Sequence, residues 1–319
     1  MIYPSNSPEQ SEFIRLWREK GSASAQQWLL ENRGGRDLSG CEPITLQLPA
    51  DTSSVRISRA SDGKPSGRLI PRDGAVQFIN YLTDTEYEYL TDKGVRGSFR
   101  TAKADFRFIT LEGAMNVRDL GGRKIKPEMI YRGSELFGIY KITENGKKAF
   151  CDLGIKTEID MRGECAGKYN SCAASDSVRY LSLPFRPYDE SFEEINKNRL
   201  KKIFDVLSDV DNYPVYFHCM GGADRTGMIA IYLGVILGED LADILLDYEL
   251  TSLSMIPAKD SVEVFPVRTT ELEDYKLFLE LLDSYAPGGF EEKILAYLRS
   301  AGVSDEIMDK IRSILAKEE

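Results

Sequence analysis

Pro214-Val215-Tyr216-Phe217-His218-Cys219-Met220-Gly221-Gly222-Ala223-Asp224-Arg225-Thr226-Gly227 decides the fold, together with the Met228-Ile229-Ala230-Ile231-Tyr232-Leu233-Gly234-Val235-Ile236-Leu237 that follows. The first four residues are a short apolar run of the kind that fills a fully buried strand, and Thr226 to Leu237 is an apolar helix. Between them lies a glycine-bearing turn. Outward from this unit the same alternation continues. A turn at Asn116 to Gly122 precedes a strand (Met129 to Arg132), a helix (Glu144 to Leu153), strands at Lys156 to Met161 and Val178 to Leu183, and a helix from Phe192 to Ser208, with helices filling the rest to Glu319. Residues 105–319 are therefore expected to form an α/β domain with a central, mostly parallel sheet flanked by helices.

Upstream the pattern changes. Residues 1–40 read as helical: Ser7-Pro8-Glu9 supplies a cap, a first-turn proline and an acidic residue, and Gly21 ends the first helix. A second runs from about Ala25 to Glu31, stopping at Gly34-Gly35. Residues 41–104 hold short alternating runs, ITLQL, VRISRA, AVQFINYL, EYEYL and VRGSFRT, between Asp, Ser, Gly and Pro clusters. They predict a small all-β sandwich, and Leu82 to Tyr89 with Ser98 to Thr101 resemble the last strands of an immunoglobulin or fibronectin III module. The segment carries no groups with catalytic spacing, so its expected role is spacing or partner docking.

Composition narrows the function. With 41 Lys and Arg against 51 Asp and Glu, the net charge of −10 argues against a nucleic-acid groove or an anionic membrane surface as main partner. The single histidine, His218, leaves no room for a zinc protease or a His-rich metal site. Five cysteines (41, 151, 165, 172, 219) lack any C-x-x-C pair, so neither a disulfide framework nor a zinc ribbon is indicated. No signal-peptide pattern or run of 18 apolar residues is present, which predicts a cytoplasmic protein without integral membrane contact, or a secreted one whose leader has been removed.

The turn itself spells H-C-x5-R-T-G. Five residues between Cys219 and Arg225 let the backbone wrap so that the N–H groups of Met220, Gly221, Gly222 and Ala223 converge on one point, and the glycines permit the dihedrals this needs. The product is an anion cradle at a helix N-terminus, with the planar fork of Arg225 placed to hold two phosphoryl oxygens. Cys219 sits at the centre of that positive field, which favours its thiolate. A sulfurtransferase of the rhodanese type also places a cysteine in such a loop, but Arg six positions later followed by Thr-Gly fits it less well.

This loop resembles the signature of the cysteine-dependent protein tyrosine phosphatase superfamily. Asn116-Val117-Arg118-Asp119-Leu120-Gly121-Gly122, Ile130-Tyr131-Arg132-Gly133-Ser134-Glu135-Leu136, and Leu153-Gly154-Ile155-Lys156-Thr157-Glu158-Ile159-Asp160-Met161-Arg162 resemble the N-F-R-D-L-G-G, Y-R-S-x-x-L and L-G-I-x-T-x-I-D-L-R segments of its bacterial and fungal family with the loop H-C-x-x-G-K-D-R-T-G. The likeness extends over roughly residues 106–319. One departure matters: the family's loop lysine is Ala223 here, which removes a charge suited to polyanionic phosphoinositides.

The resemblance implies a phosphomonoesterase that needs no metal or cofactor. Cys219 would attack phosphorus, Arg225 and the loop amides would hold the equatorial oxygens, and Thr226 would donate to the sulfur. His218 would orient the loop. Two aspartates compete as general acid: Asp224 inside the loop, which we favour, and Asp189, 30 residues before Cys219. Asp160, Arg162, Arg118, Asp119 and Arg132 are expected to brace the site through ion pairs, with Asp119 and Asp160 candidates to orient Arg225. The expected substrate is a phosphorylated protein or small aryl phosphate. The alternatives are a phosphoinositide or inositol phosphate substrate, and a phosphoprotein-binding module without turnover.

Overall fold

The computed structural model describes residues 1–163, 168–257, 262–264, 269 and 272–318. Cys165 lies outside them. Cys41, Cys151, Cys172 and Cys219 are free thiols.

The larger sheet has six strands, in the order Arg107–Phe108, Arg118–Asp119, Ile130–Gly133, Val215–His218, Thr157–Asp160 and Arg179–Ser182. The last four run parallel and the first two form an antiparallel extension. Every residue of Ile130–Gly133, Thr157–Asp160 and Val215–His218 is buried, as parallel strands covered on both faces should be. One face packs on the helices Glu194–Leu207, Asp224–Ile236, Phe290–Ser300 and Asp305–Leu315 through Ile159, Phe217, Phe204, Ile231 and Tyr297. The other packs Tyr131 and Tyr216 on Phe150 of the helix Glu144–Asp152.

Val215–His218 is the last strand to enter the parallel set, yet it lies between Ile130–Gly133 and Thr157–Asp160. The chain order therefore reverses at this strand, and its C-terminal end opens the crevice where doubly wound sheets bind ligands. The helix that follows is buried along nearly its whole length, from Thr226 to Ile236. Its apolar sequence fixes the start of the helix in the centre of the domain.

Residues 44–101 together with Ile2–Tyr3 form a five-stranded sheet, ordered Ile2–Tyr3, Arg96–Thr101, Glu86–Thr91, Val55–Arg59, Pro65–Leu69, and a two-stranded sheet of Ile44–Gln47 with Ala75–Phe78. The two share one apolar cluster, in which Phe78 meets Tyr87 at 5.1 Å and Phe99 at 6.0 Å between ring centroids. Two features depart from the sequence reading. Ile2–Tyr3, expected in the helical segment, pairs in parallel with Arg100–Thr101. Pro65–Leu69 is a strand without alternation because it is the exposed sheet edge, where a leading proline costs no ladder bond.

The helix Pro8–Lys20 begins with a capping box between Ser7 and Gln10 and ends at Gly21; the next spans Ser22–Asn32. Both bury Phe13, Leu16 and Leu29 against Phe106, Phe108, Leu246, Leu250 and Leu253. Below them Glu249, fully buried, accepts from Trp17 Nε1 at 3.0 Å and Ser22 Oγ at 2.6 Å. None of the described helices is long and apolar enough to cross a membrane.

Candidate active site

The loop Cys219–Ala223 leaves the central strand and enters the helix Asp224–Ile236. Its carbonyls are pulled outward by three buried donors. Met220 O accepts from Glu135 N at 3.0 Å, Gly221 O from Asn116 Nδ2 at 3.2 Å, and Gly222 O from Asn116 Nδ2 at 3.0 Å and Arg132 Nη2 at 2.8 Å. In a trans peptide the carbonyl and the next N–H point opposite ways, so the N–H groups of Gly221, Gly222 and Ala223 face the inside of the loop. Among the described residues none of these three N–H groups donates to a backbone carbonyl. Gly222 has φ 69°, and a Cβ there would stand 2.5 Å from the carbonyl of Gly133. Only glycine lets the loop press this closely on the neighbouring strand.

The donors are themselves held. Asn116 Oδ1 accepts from Arg118, and Arg118 and Arg132 both bind the Asp247 carboxylate, Arg118 Nε at 3.0 Å. All four are buried. Burial pulls the Arg118 guanidinium down to about 10 against the attraction of Asp247. Burial likewise works against the Asp247 charge, but the two arginines hold its carboxyl well below the usual range.

Cys219 is buried, 4% exposed, while Met220 beside it is 40% exposed at the loop mouth. Arg225 Nη1 donates to Met161 O at 3.4 Å, and Met161 N donates to His218 O at 2.9 Å, so the backbone next to the strand Val215–His218 also seats the guanidinium. His218 has Nδ1 2.9 Å from Cys219 O and Nε2 2.8 Å from Glu158 Oε1. Burial opposes its charge, but the Glu158 carboxylate outweighs this and raises the His218 pKa.

Three expectations are corrected. Asp119 does not orient Arg225: its carboxylate binds Arg107 Nη1 at 2.6 Å and the amides of Gly121 and Glu128, because strand register sets it opposite Arg107. Asp160 is taken by Arg162, with Nη2 at 2.6 Å, and by Tyr180 Oη at 2.7 Å. Arg162 also reaches Glu135 and Phe137 O. Thr226 Oγ1 is buried without a hydrogen-bond partner among the described residues, Cys219 Sγ included; a thiol is a weak acceptor. The absent lysine also reads differently, since Ala223 is buried at 2% exposure and the residue at the rim is Met220.

The two aspartates part company. Asp224, at the first turn of the helix, accepts from Tyr188 Oη at 2.6 Å. Asp189 is exposed on the 3₁₀ turn Tyr188–Phe192 and takes no hydrogen bond from the described residues. Sequence reasoning gave no role to Glu158, Glu135, Tyr188, Asp247 or Tyr248. Glu158 had a signal, since it shares a strand face with Asp160.

Inward-facing amides at the carboxyl end of the switch-point strand, with buried Cys219 opening the loop and Arg225 following it, make a pocket able to hold an anion such as phosphate. A model of the tyrosine phosphatase family matches residues 109–317, and the chain belongs to that family. No curated protein matches. Among solved structures, TpbA of P. aeruginosa is similar at 18% identity and a TM-score of 0.32, covering 57% of this chain and 90% of that one. A Cys-to-Ser TpbA in complex with pTyr gives 16% and 0.34, covering 61% and 96%. The core catalytic domain of the PP-IP phosphatase SIW14 from S. cerevisiae gives 15% and 0.33, covering 56% and 94%.

Proposed function

We propose that this chain is a cysteine-dependent phosphomonoesterase acting on phosphotyrosine or another aryl phosphate. The observation that carries the reading is the set of outward-held carbonyls at Met220, Gly221 and Gly222, which turns the following amides toward the inside of the loop that Cys219 opens. Cys219 attacks phosphorus as its thiolate; the S–P bond forms, the P–O bond to the leaving group breaks, and Asp224 gives that oxygen a proton. Water then attacks the cysteinyl phosphate, its proton returns to Asp224, and the thiolate leaves as phosphate is released. The loop amides and Arg225 hold the equatorial oxygens through both steps.

The exposed Met220 side chain offers an apolar contact at the mouth that suits an aryl ring better than an inositol carrying several phosphates. Residues 41–104 are read as a docking module. Between them and the helix Glu144–Asp152 lies a groove of about 1250 Å³ in whose lining Arg59 and Lys64 pair with Glu128, while Arg56, Arg68, Arg96 and Lys148 outnumber Glu88 and Asp152, a balance suited to an acidic stretch of a phosphoprotein. The test is turnover in EDTA of a phosphotyrosine peptide and of a soluble bisphosphorylated phosphoinositide. Higher kcat/KM on the peptide is expected. Preference for the lipid headgroup would move the substrate class, and phosphate binding without turnover of either would leave a recognition module.

A further inference from the structure

Tyr188 Oη lies 2.6 Å from Asp224 Oδ1 and 2.5 Å from Tyr248 Oη. A phenol carries one proton, so Tyr188 gives its proton to Asp224 and receives that of Tyr248. We infer that Tyr188, backed by Tyr248, is the positioning residue for the general acid: its phenol holds the Asp224 carboxyl in place for transfer of a proton to the leaving group. The inference rests on the proposed role of Asp224.

Tyr188 is built for this place. Its φ of 56° is unusual for a bulky residue, and the surrounding turn enforces it. Ser191 Oγ donates to Tyr188 O at 2.5 Å, Asn196 Nδ2 to Glu190 O at 2.8 Å, and Tyr297 Oη to Ser191 O at 2.8 Å. The same turn buries Tyr188 and leaves its neighbour Asp189 in solvent. Thus the turn that carries the alternative acid, Asp189, delivers a phenol to the site instead. Tyr248 in turn packs on Gly227, where a Cβ would stand 2.8 Å from its ring, which gives the glycine after Arg225-Thr226 a reason.

Burial, with Tyr248 and Asp224 alongside, raises the Tyr188 pKa far above that of a free phenol, so it stays a donor throughout the working range. As Asp224 gives up its proton, the bond from Tyr188 becomes charge-assisted and strengthens. The gain falls in the transition state, and it is largest where proton transfer is most advanced, with a basic leaving oxygen.

The experiment compares Tyr188→Phe with wild type on phenyl phosphate and p-nitrophenyl phosphate in EDTA. Loss of one hydrogen bond to a developing charge should lower kcat on phenyl phosphate by about 10–100-fold, and on the activated ester by less than about 3-fold, with KM nearly constant. In an Asp224→Asn background the same change should cost little more, because the two residues act as one unit. Equal losses on both esters, or full additivity with Asp224→Asn, would overturn the inference, as would the leaving-group signature appearing in Asp189→Asn. Should Tyr188→Phe fail to fold, Tyr248→Phe carries the same readout with a smaller effect, and a flat leaving-group response there counts against the chain. A wild-type protein inactive on both esters would instead refute the proposed function itself.

Discussion

Glu158 Oε1 stands 2.8 Å from His218 Nε2 in a fully buried pair, while the other ring nitrogen reaches the carbonyl of Cys219. The carboxylate keeps a proton on the imidazole directly beneath the loop, which orients the ring and leaves it a steady donor.

This pair sets a pH dependence with a defined sign. The His218 pKa is raised above 6.5, so the pair contributes stability fully below about pH 6.5 and loses it as pH rises through the higher folded value. The melting temperature of wild type minus that of Glu158→Gln should therefore shrink as pH climbs from 6.5 toward 9. Scanning calorimetry in pH steps measures it. A difference that is constant, or that grows, would mean His218 is neutral in the folded protein.

Cys219→Ser should abolish turnover of p-nitrophenyl phosphate while the protein still binds inorganic phosphate, because the hydroxyl fits the same space and stays protonated. Arg225→Ala should lose turnover and phosphate binding together. Isothermal titration with phosphate separates the two variants, and wild-type turnover by Cys219→Ser would refute the cysteinyl-phosphate route.

Asp247→Asn removes the one carboxylate shared by Arg118 and Arg132. With both guanidiniums buried, the change should cost about 3–5 kcal/mol in urea unfolding. Since Arg132 also holds Gly222 O, phosphate affinity should fall in the protein that remains folded. A cost below about 1 kcal/mol would show that the arginines find other partners.

Gly222→Ala and Gly154→Ala make a matched comparison. Both glycines have positive φ, 69° and 70°, but a Cβ at 154 meets open space while at 222 it strikes Gly133. Gly154→Ala should cost about 1 kcal/mol from strain alone. Gly222→Ala should cost more and also weaken phosphate binding, and equal effects would mean the loop can shift off the strand.

What could be read in advance was what the chain encodes locally. Strand, loop and helix from Val215 to Ile236 follow from one apolar run, five intervening residues and a second apolar run, so Cys219 and Arg225 are placed by covalent neighbours. The bracing residues are not local. Asp247 meets Arg118 across 129 positions and Arg132 across 115, and nothing near Asp247 announces either. Asp119 was misread because its partner is fixed by strand register with Arg107, which no spacing in the motif reveals. Tyr188 was passed over for the more obvious acid beside it, since a turn with positive φ decides which of two adjacent side chains faces inward.

Arg107 deserves a last consequence. Besides Asp119, its guanidinium donates to Tyr81 O at 2.8 Å and Asn80 O at 2.5 Å, so one buried side chain joins the β segment to the sheet that carries the loop. The N-terminal helices add Phe13, Leu16 and Leu29 to the same side of Leu246, Leu250 and Leu253. One buried seam thus ties the N-terminal segments to the sheet that carries the loop, and a fragment beginning at 105 should expose Leu246, Leu250 and Leu253 and be less soluble than the full chain.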